Sequence, residues 1–108
     1  MLRMESKYSV KLSDNAFDDL GVSLEWGIEN WGADRAGKWF DEMVQYIKLR
    51  LSTIPLAYSV APESLEFDQE VRHLIAGRYR VLFLIKDSDV LVIRIVGAFM
   101  NQSDKSQK

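Results

Sequence analysis

Three arginines and one histidine are the side chains whose types and spacing bear most directly on chemistry. Arg72, Arg80 and Arg94 fall in the C-terminal third of the chain, and His73, the only histidine, sits beside the first of them. A guanidinium carries a fixed charge and a rigid fork of donors that matches carboxylate or phosphate oxygens, so gathered arginines make an anchor for acidic groups. An imidazole titrates near neutrality and can serve as a general base, but only beside a second positioned group. The sequence pairs no such group to His73. The acidic run Glu63, Glu66, Asp68 and Glu70 could suggest a cation site. Without a glycine-centred loop or a second liganding segment, that run reads as a solvated connection, not a cation site. Cysteine is absent, which removes disulfides and thiolate metal ligands. No motif implies a cofactor or a metal.

The elements that must position these residues follow from periodicity. Tyr8 to Leu12 alternates apolar and polar residues, the signature of a half-buried strand. Ser13 is placed to cap a helix and Asp14 to sit in its first turn. Ala16, Phe17, Leu20, Leu24, Ile28 and Trp31 then recur at helical spacing up to Gly32. A second apolar stripe runs from Ala36 through Trp39, Phe40, Met43, Val44, Ile47 and Leu51 to Ile54, and Pro55 stops it. With only Gly32 between them, the two segments are expected as an antiparallel helical hairpin. Its outer edge is a candidate for a second docking groove, which periodicity alone does not show. Trp26, Trp31 and Trp39 belong to the core or the helix seam, not to a base-stacking platform.

Residues 56–70 show no clean period and read as a surface connection with a short extended piece around Leu65 to Phe67. Three strand-like runs follow, Val71 to Ala76, Arg78 to Lys86 and Val90 to Phe99. Gly77 and Asp87-Ser88-Asp89 separate them as turns. The expected fold is α+β: an N-terminal strand, a helical hairpin and a three-stranded antiparallel meander forming one sheet with the helices on one face. Residues 1–100 form a single domain and 101–108 a polar tail.

Centring the hairpin turns on Gly77 and Ser88 gives each face of the meander a composition. Val71, His73, Ile75, Tyr79, Val81, Phe83, Ile85, Leu91, Ile93 and Ile95 fall on one side, nearly all apolar and therefore expected beneath the helices. Arg72, Leu74, Arg80, Leu82, Leu84, Val92, Arg94 and Val96 fall on the other. The candidate binding residues on that second face are Arg72, Arg80 and Arg94 as polar anchors, with Leu82, Leu84 and Val92 beside them. Phe99, just beyond the last strand, joins this set.

Charge supports two halves of opposite character. The 108 residues carry a formal net charge of −2, with 47% hydrophobic and 28% charged residues, the mixture of a soluble globular domain. No run approaches the length of a membrane span, and no secretory signal opens the chain, so a cytoplasmic protein is expected. Residues 13–70 hold 12 acids against 4 basic residues, whereas residues 72–94 hold 5 basic residues against 2 acids. The overall sign excludes gripping nucleic acid by bulk charge. A small cationic sheet face suits a largely apolar protein segment that carries acidic residues.

The order of elements, together with Leu51-Ser52-Thr53-Ile54-Pro55, Val71-Arg72-His73-Leu74, Gly77-Arg78-Tyr79-Arg80-Val81-Leu82-Phe83 and Asp89-Val90-Leu91-Val92-Ile93-Arg94-Ile95-Val96, resembles the RelE/ParE superfamily of bacterial type II toxins. The resemblance spans about residues 7–99. It implies a toxin neutralised by a cognate antitoxin protein, with one of two activities. RelE-like members cleave mRNA in the ribosome, using lysines and arginines on the sheet and a tyrosine in a C-terminal helix. ParE-like members poison DNA gyrase. Of the RelE-like set only Arg80 matches. His73 stands where that branch has a lysine, Ala98 and Phe99 replace a basic pair, and the tail has no tyrosine. The resemblance is therefore closer to the ParE-like branch and implies a toxin that binds gyrase and is not an enzyme. The basic run that ParE-like toxins often carry after the last strand is here Gly97-Ala98-Phe99-Met100. A ribosome-dependent mRNA endonuclease and a non-toxic antitoxin-binding module are the alternatives.

Overall fold

A computed structural model describes residues 7–97. Strand β1 (Ser9–Leu12) leads into helix α1 (Asp14–Trp31), and helix α2 (Ala33–Thr53) follows after Gly32 alone. A single 3₁₀ turn at Pro55–Ala57 and a one-turn helix α3 (Ser64–Phe67) cross to β2 (Arg72–Ala76), β3 (Tyr79–Lys86) and β4 (Asp89–Gly97). Ser13 caps α1 as its sequence predicts, its Oγ accepting from Ala16 N–H at 3.1 Å. It also donates to Ile93 O at 3.1 Å, which ties the helix start to β4. The tail 101–108 and Phe99 lie outside the described residues.

The sheet order is β1-β4-β3-β2. β2, β3 and β4 form the expected antiparallel meander, while β1 joins β4 in parallel, so the sheet is mixed. A parallel partner needs a crossover, and the α1–α2 hairpin supplies it over one face. There Ala16 and Leu20 of α1 and Met43, Ile47 and Leu51 of α2 pack on Leu74, Val81, Phe83, Val90, Val92 and Ile95. Gly27 of α1 lies against Ala36 of α2. A Cβ built on it would sit 3.2 Å from Ala36 Cβ and 3.2 Å from the Trp31 ring. The glycine that weakens helix propensity is therefore the one that permits this packing.

The register differs from the one drawn from sequence, and the turns explain why. Both hairpins turn on two residues, since Ala76 pairs with Tyr79 and Lys86 with Asp89. The first residue of each turn is left-handed, Gly77 at φ +63° and Asp87 at φ +57°. Relative to turns centred on Gly77 and Ser88, each pairing slips by one residue, and with a side-chain period of two every residue of the slipped strand changes face. β3 keeps its expected sides. β2 is reversed: Leu74 lies in the main core, and His73 pairs with Leu82 on the opposite face. The first part of β4 is reversed too, with Val92 buried beneath the helices and Leu91 opposite Leu84. A bulge between Leu82 and Phe83 of the β3–β4 ladder leaves Ile93 without a partner and restores the expected side for Ile95. A second, smaller cluster of Ala61, Val71 and Leu82, flanked by Leu84, Ile93 and Val96, covers part of the other face.

The stretch expected to be extended around Leu65 to Phe67 is helical. Asp68 in the left-handed region (φ +56°) closes it, its N–H donating to Ser64 O. Ser64 Oγ reaches Ala61 O at 2.8 Å and Val71 O at 3.1 Å and accepts from Val71 N–H at 2.8 Å. That one hydroxyl folds the acidic connection back onto the sheet.

Candidate binding face

The fold parts the three arginines instead of gathering them, and each meets a carboxylate of its own chain. Arg80 projects from β3 onto the face away from the helices. Its Nη1 donates to Glu63 Oε2 at 2.6 Å and its Nη2 to Glu63 Oε1 at 2.8 Å, a fork-to-fork pair. Its Nε and Nη2 also lie 3.2 and 2.9 Å from His73 Nδ1. A guanidinium only donates, so Nδ1 accepts and the proton of the neutral imidazole belongs on Nε2. Arg80 holds the Glu63 carboxyl at a pKa of about 2, far below its ordinary 4.5. The same hydrogen bonds keep the Arg80 guanidinium above its ordinary range.

Arg72 lies opposite Phe83, with Nη2 2.9 Å from Glu70 Oε2 and Nη1 donating to Tyr58 O at 2.5 Å. Arg94, beside the bulge, reaches across to α1. Its Nε donates to Asp19 Oδ2 at 2.8 Å and its Nη2 to Asp19 Oδ1 at 3.0 Å, and Ile95 N–H donates to Oδ2 at 2.8 Å. The Asp19 carboxylate raises the Arg94 guanidinium above its ordinary value. Of the run Glu63, Glu66, Asp68 and Glu70, two members are thus ion-pair partners of sheet arginines. Among the described residues no group of three His, Asp or Glu side chains is arranged to hold a metal.

The apolar candidates fare unequally. Val92 is buried under the helices and Leu82 within the smaller cluster, so neither reaches the surface. Leu84 is half-buried beside that cluster. Their places on the outer face are taken by Ile75, 55% exposed, and by Leu91. His73, expected in the core, is half-buried on the outer face against Arg80 because of the slip at Gly77-Arg78.

A further surface lies along the helical hairpin. Trp26, Trp31, Trp39 and Tyr79 form a row of edge-to-face and tilted contacts with centroid separations of 5.4, 6.4 and 5.5 Å. Trp26 and Trp31 remain substantially exposed while Trp39 packs on the core. Arg35 stands 5.6 Å over the Trp31 ring. The row ends at a shallow cleft of about 290 Å³ between α2 and the β2–β3 turn, lined by Trp39, Glu42, Met43, Tyr46, Ala76 and Gly77. The tryptophans were expected in the core or at the helix seam; Trp39 packs on the core, while Trp26 and Trp31 stay exposed. That two of them stay open was not legible, because helical spacing fixes a face but not how far a neighbour covers it.

No family model and no curated protein sequence matches the chain. Solved structures do. A chain of the chromosomal ParDE TA system from P. aeruginosa superposes with a TM-score of 0.70 at 20% identity, over 84% of this chain and 96% of that one. A chain of the toxin–antitoxin complex RelBE2 from Mycobacterium tuberculosis superposes with a TM-score of 0.61, also at 20% identity, over 84% of this chain and 98% of that one. The chain shares its fold with both of these structures. Among the described residues no helix is long and apolar enough to cross a membrane.

Proposed function

We propose that the chain is the toxin of a type II toxin–antitoxin pair, ParE-like in that it acts by binding DNA gyrase, and that an antitoxin protein neutralises it. The observation that carries the binding mode is the state of Arg80. Cleaving RNA through its 2′-hydroxyl requires cations free to meet the charge of the phosphorane. The one arginine matching the nucleolytic set spends its fork on Glu63 instead. A partner protein is better served by what remains open: the tryptophan row, the cleft beside it, and Ile75 and Leu91 on the sheet. An antitoxin segment that orders on binding needs such apolar area to offset its lost entropy.

Induced expression is the test. Growth arrest with DNA-damage signalling, relieved by co-expressing the product of the adjoining reading frame, supports the proposal. Unchanged growth supports a non-toxic antitoxin-binding module. A second reading, mRNA cleavage in the ribosome, draws on one observation, the approach of His73 Nδ1 to Arg80 on the outer face. That pairing is what a base beside a phosphate-binding group would need. New 5′ ends in ribosome-bound mRNA that vanish with His73→Ala would establish it over the gyrase reading.

A further inference from the structure

We infer that the free edge of β1 is a docking site for a second copy of this chain, joined by antiparallel pairing centred on Val10. The two edges of the sheet are not equivalent. The outer edge of β2 is partly covered, since Val60 bridges to Arg72, Ala61 N–H donates to Val71 O and His73 N–H donates to Ser59 O. Among the described residues β1 is covered only at its start, where the Lys7 and Tyr8 N–H groups donate to Ser52 O. Ser9 N–H donates to Ser88 O and Ser13 N–H to Val92 O, so the backbone groups of Ser9, Lys11 and Ser13 face β4. By alternation, those of Tyr8, Val10 and Leu12 face away from it. Tyr8 N–H is taken by Ser52 O at 3.1 Å. Among the described residues no backbone group outside the sheet meets Val10 or Leu12. An open strand edge is a template for another strand.

The side chains around this edge fit a second copy of β1. Val10 points to the helix side, where with Lys48, Leu49 and Ser52 it lines a cleft of about 330 Å³ between β1 and α2. Leu49 is 64% exposed at its rim. In a Val10-centred two-fold pair, Val10 N–H meets the second copy's Val10 carbonyl and Leu12 N–H meets the second copy's Tyr8 carbonyl, each reciprocated. The same pair would direct each Tyr8 N–H at the second copy's Leu12 carbonyl, but that N–H is already bonded to Ser52 O, so each Leu12–Tyr8 pair keeps one bond instead of two. Residues opposite each other share a face, so both valines enter the clefts and the two Leu49 side chains come together over the axis. Charge agrees with the antiparallel sense. The exposed Lys7 at the start of β1 comes beside the second copy's Asp14 just past its end, and Lys11 stands opposite serine, not another lysine. The product is one continuous sheet carrying both helical hairpins on one face.

Light scattering on the full chain across micromolar to millimolar concentrations tests this. The expected mass is twice the 12.5 kDa of one chain. Leu49→Asp changes an exposed side chain and should raise the dimer dissociation constant at least about tenfold. Val10→Pro removes a donor that the monomer does not use and should do the same. Lys7→Asp should weaken the dimer, and adding Asp14→Lys should restore it. Circular dichroism reports whether each variant is folded, and Leu49→Asp carries the test if Val10→Pro is not. A single-chain mass at every concentration overturns the inference. So does a dimer that survives Leu49→Asp unweakened, or an edge occupied only by a different, acidic protein.

Discussion

Asp19 is where one side chain holds helix to sheet, and replacing it has a calculable cost. β1 ends at Leu12 opposite Val92, so among the described residues the later part of β4 has no strand on that side. Ile95 is buried, and its N–H would be orphaned but for Asp19 Oδ2 at 2.8 Å. Asp19→Ala leaves that N–H unpaired, which costs about 1–3 kcal/mol, and also ends the paired bonds to Arg94. The Arg94 side chain is 45% exposed and can rehydrate, so its share is held to about 0.5–1 kcal/mol. The expected loss is therefore about 3 kcal/mol, or a fall in Tm of about 12 °C or more. Asp19→Asn keeps an acceptor for Ile95 N–H and should cost about half as much. Urea unfolding measures both, and hydrogen exchange at the Ile95 amide reports the local bond. Exchange should accelerate in the alanine variant well before global unfolding. A loss below about 1 kcal/mol for Asp19→Ala, or equal losses for the two variants, would refute this assignment of Asp19.

Three further outcomes are expected. Ser13→Ala removes both the α1 cap and the bond to Ile93 O and should destabilise by about 1–2 kcal/mol in denaturant titration. Glu63 has its pKa lowered to about 2, so its contribution is complete above the ordinary 4.5 and is lost as pH falls from there toward 2. With its side chain only 21% exposed, that contribution is of order 2–3 kcal/mol, and Glu63→Gln should flatten stability against pH across that window. Gly77→Ala places a Cβ at φ +63° and should cost about 1–2 kcal/mol, read as a lower Tm.

The helical half was legible from sequence because its signals are local. Ser13, Gly32 and Pro55 mark ends that periodicity fills, and observed boundaries fall within two residues of the expected ones. The strands were legible as strands for the same reason. Their facing was not, because a period of two makes the assignment depend on whether each turn takes one residue or two. Gly77-Arg78 and Asp87-Ser88 take two, which put Leu74 and Val92 inside and His73 outside. The Ile93 bulge, without a glycine or proline to mark it, then undid the slip for the end of β4. The arginines were singled out as anchors for a partner; each instead meets a carboxylate of the chain, and those carboxylates lay unseen in the acidic segments. Twelve acids in residues 13–70 offer too many choices, and only the fold selects Asp19, Glu63 and Glu70.

Gyrase supercoiling in the presence of the purified full chain separates binding from cleavage most directly. Relaxed plasmid, gyrase and ATP are incubated with increasing chain, and the supercoiled product is quantified. Inhibition at micromolar chain, undiminished by His73→Ala, is the predicted result. Full supercoiling at every concentration, from protein that is folded and arrests growth when expressed, would contradict it.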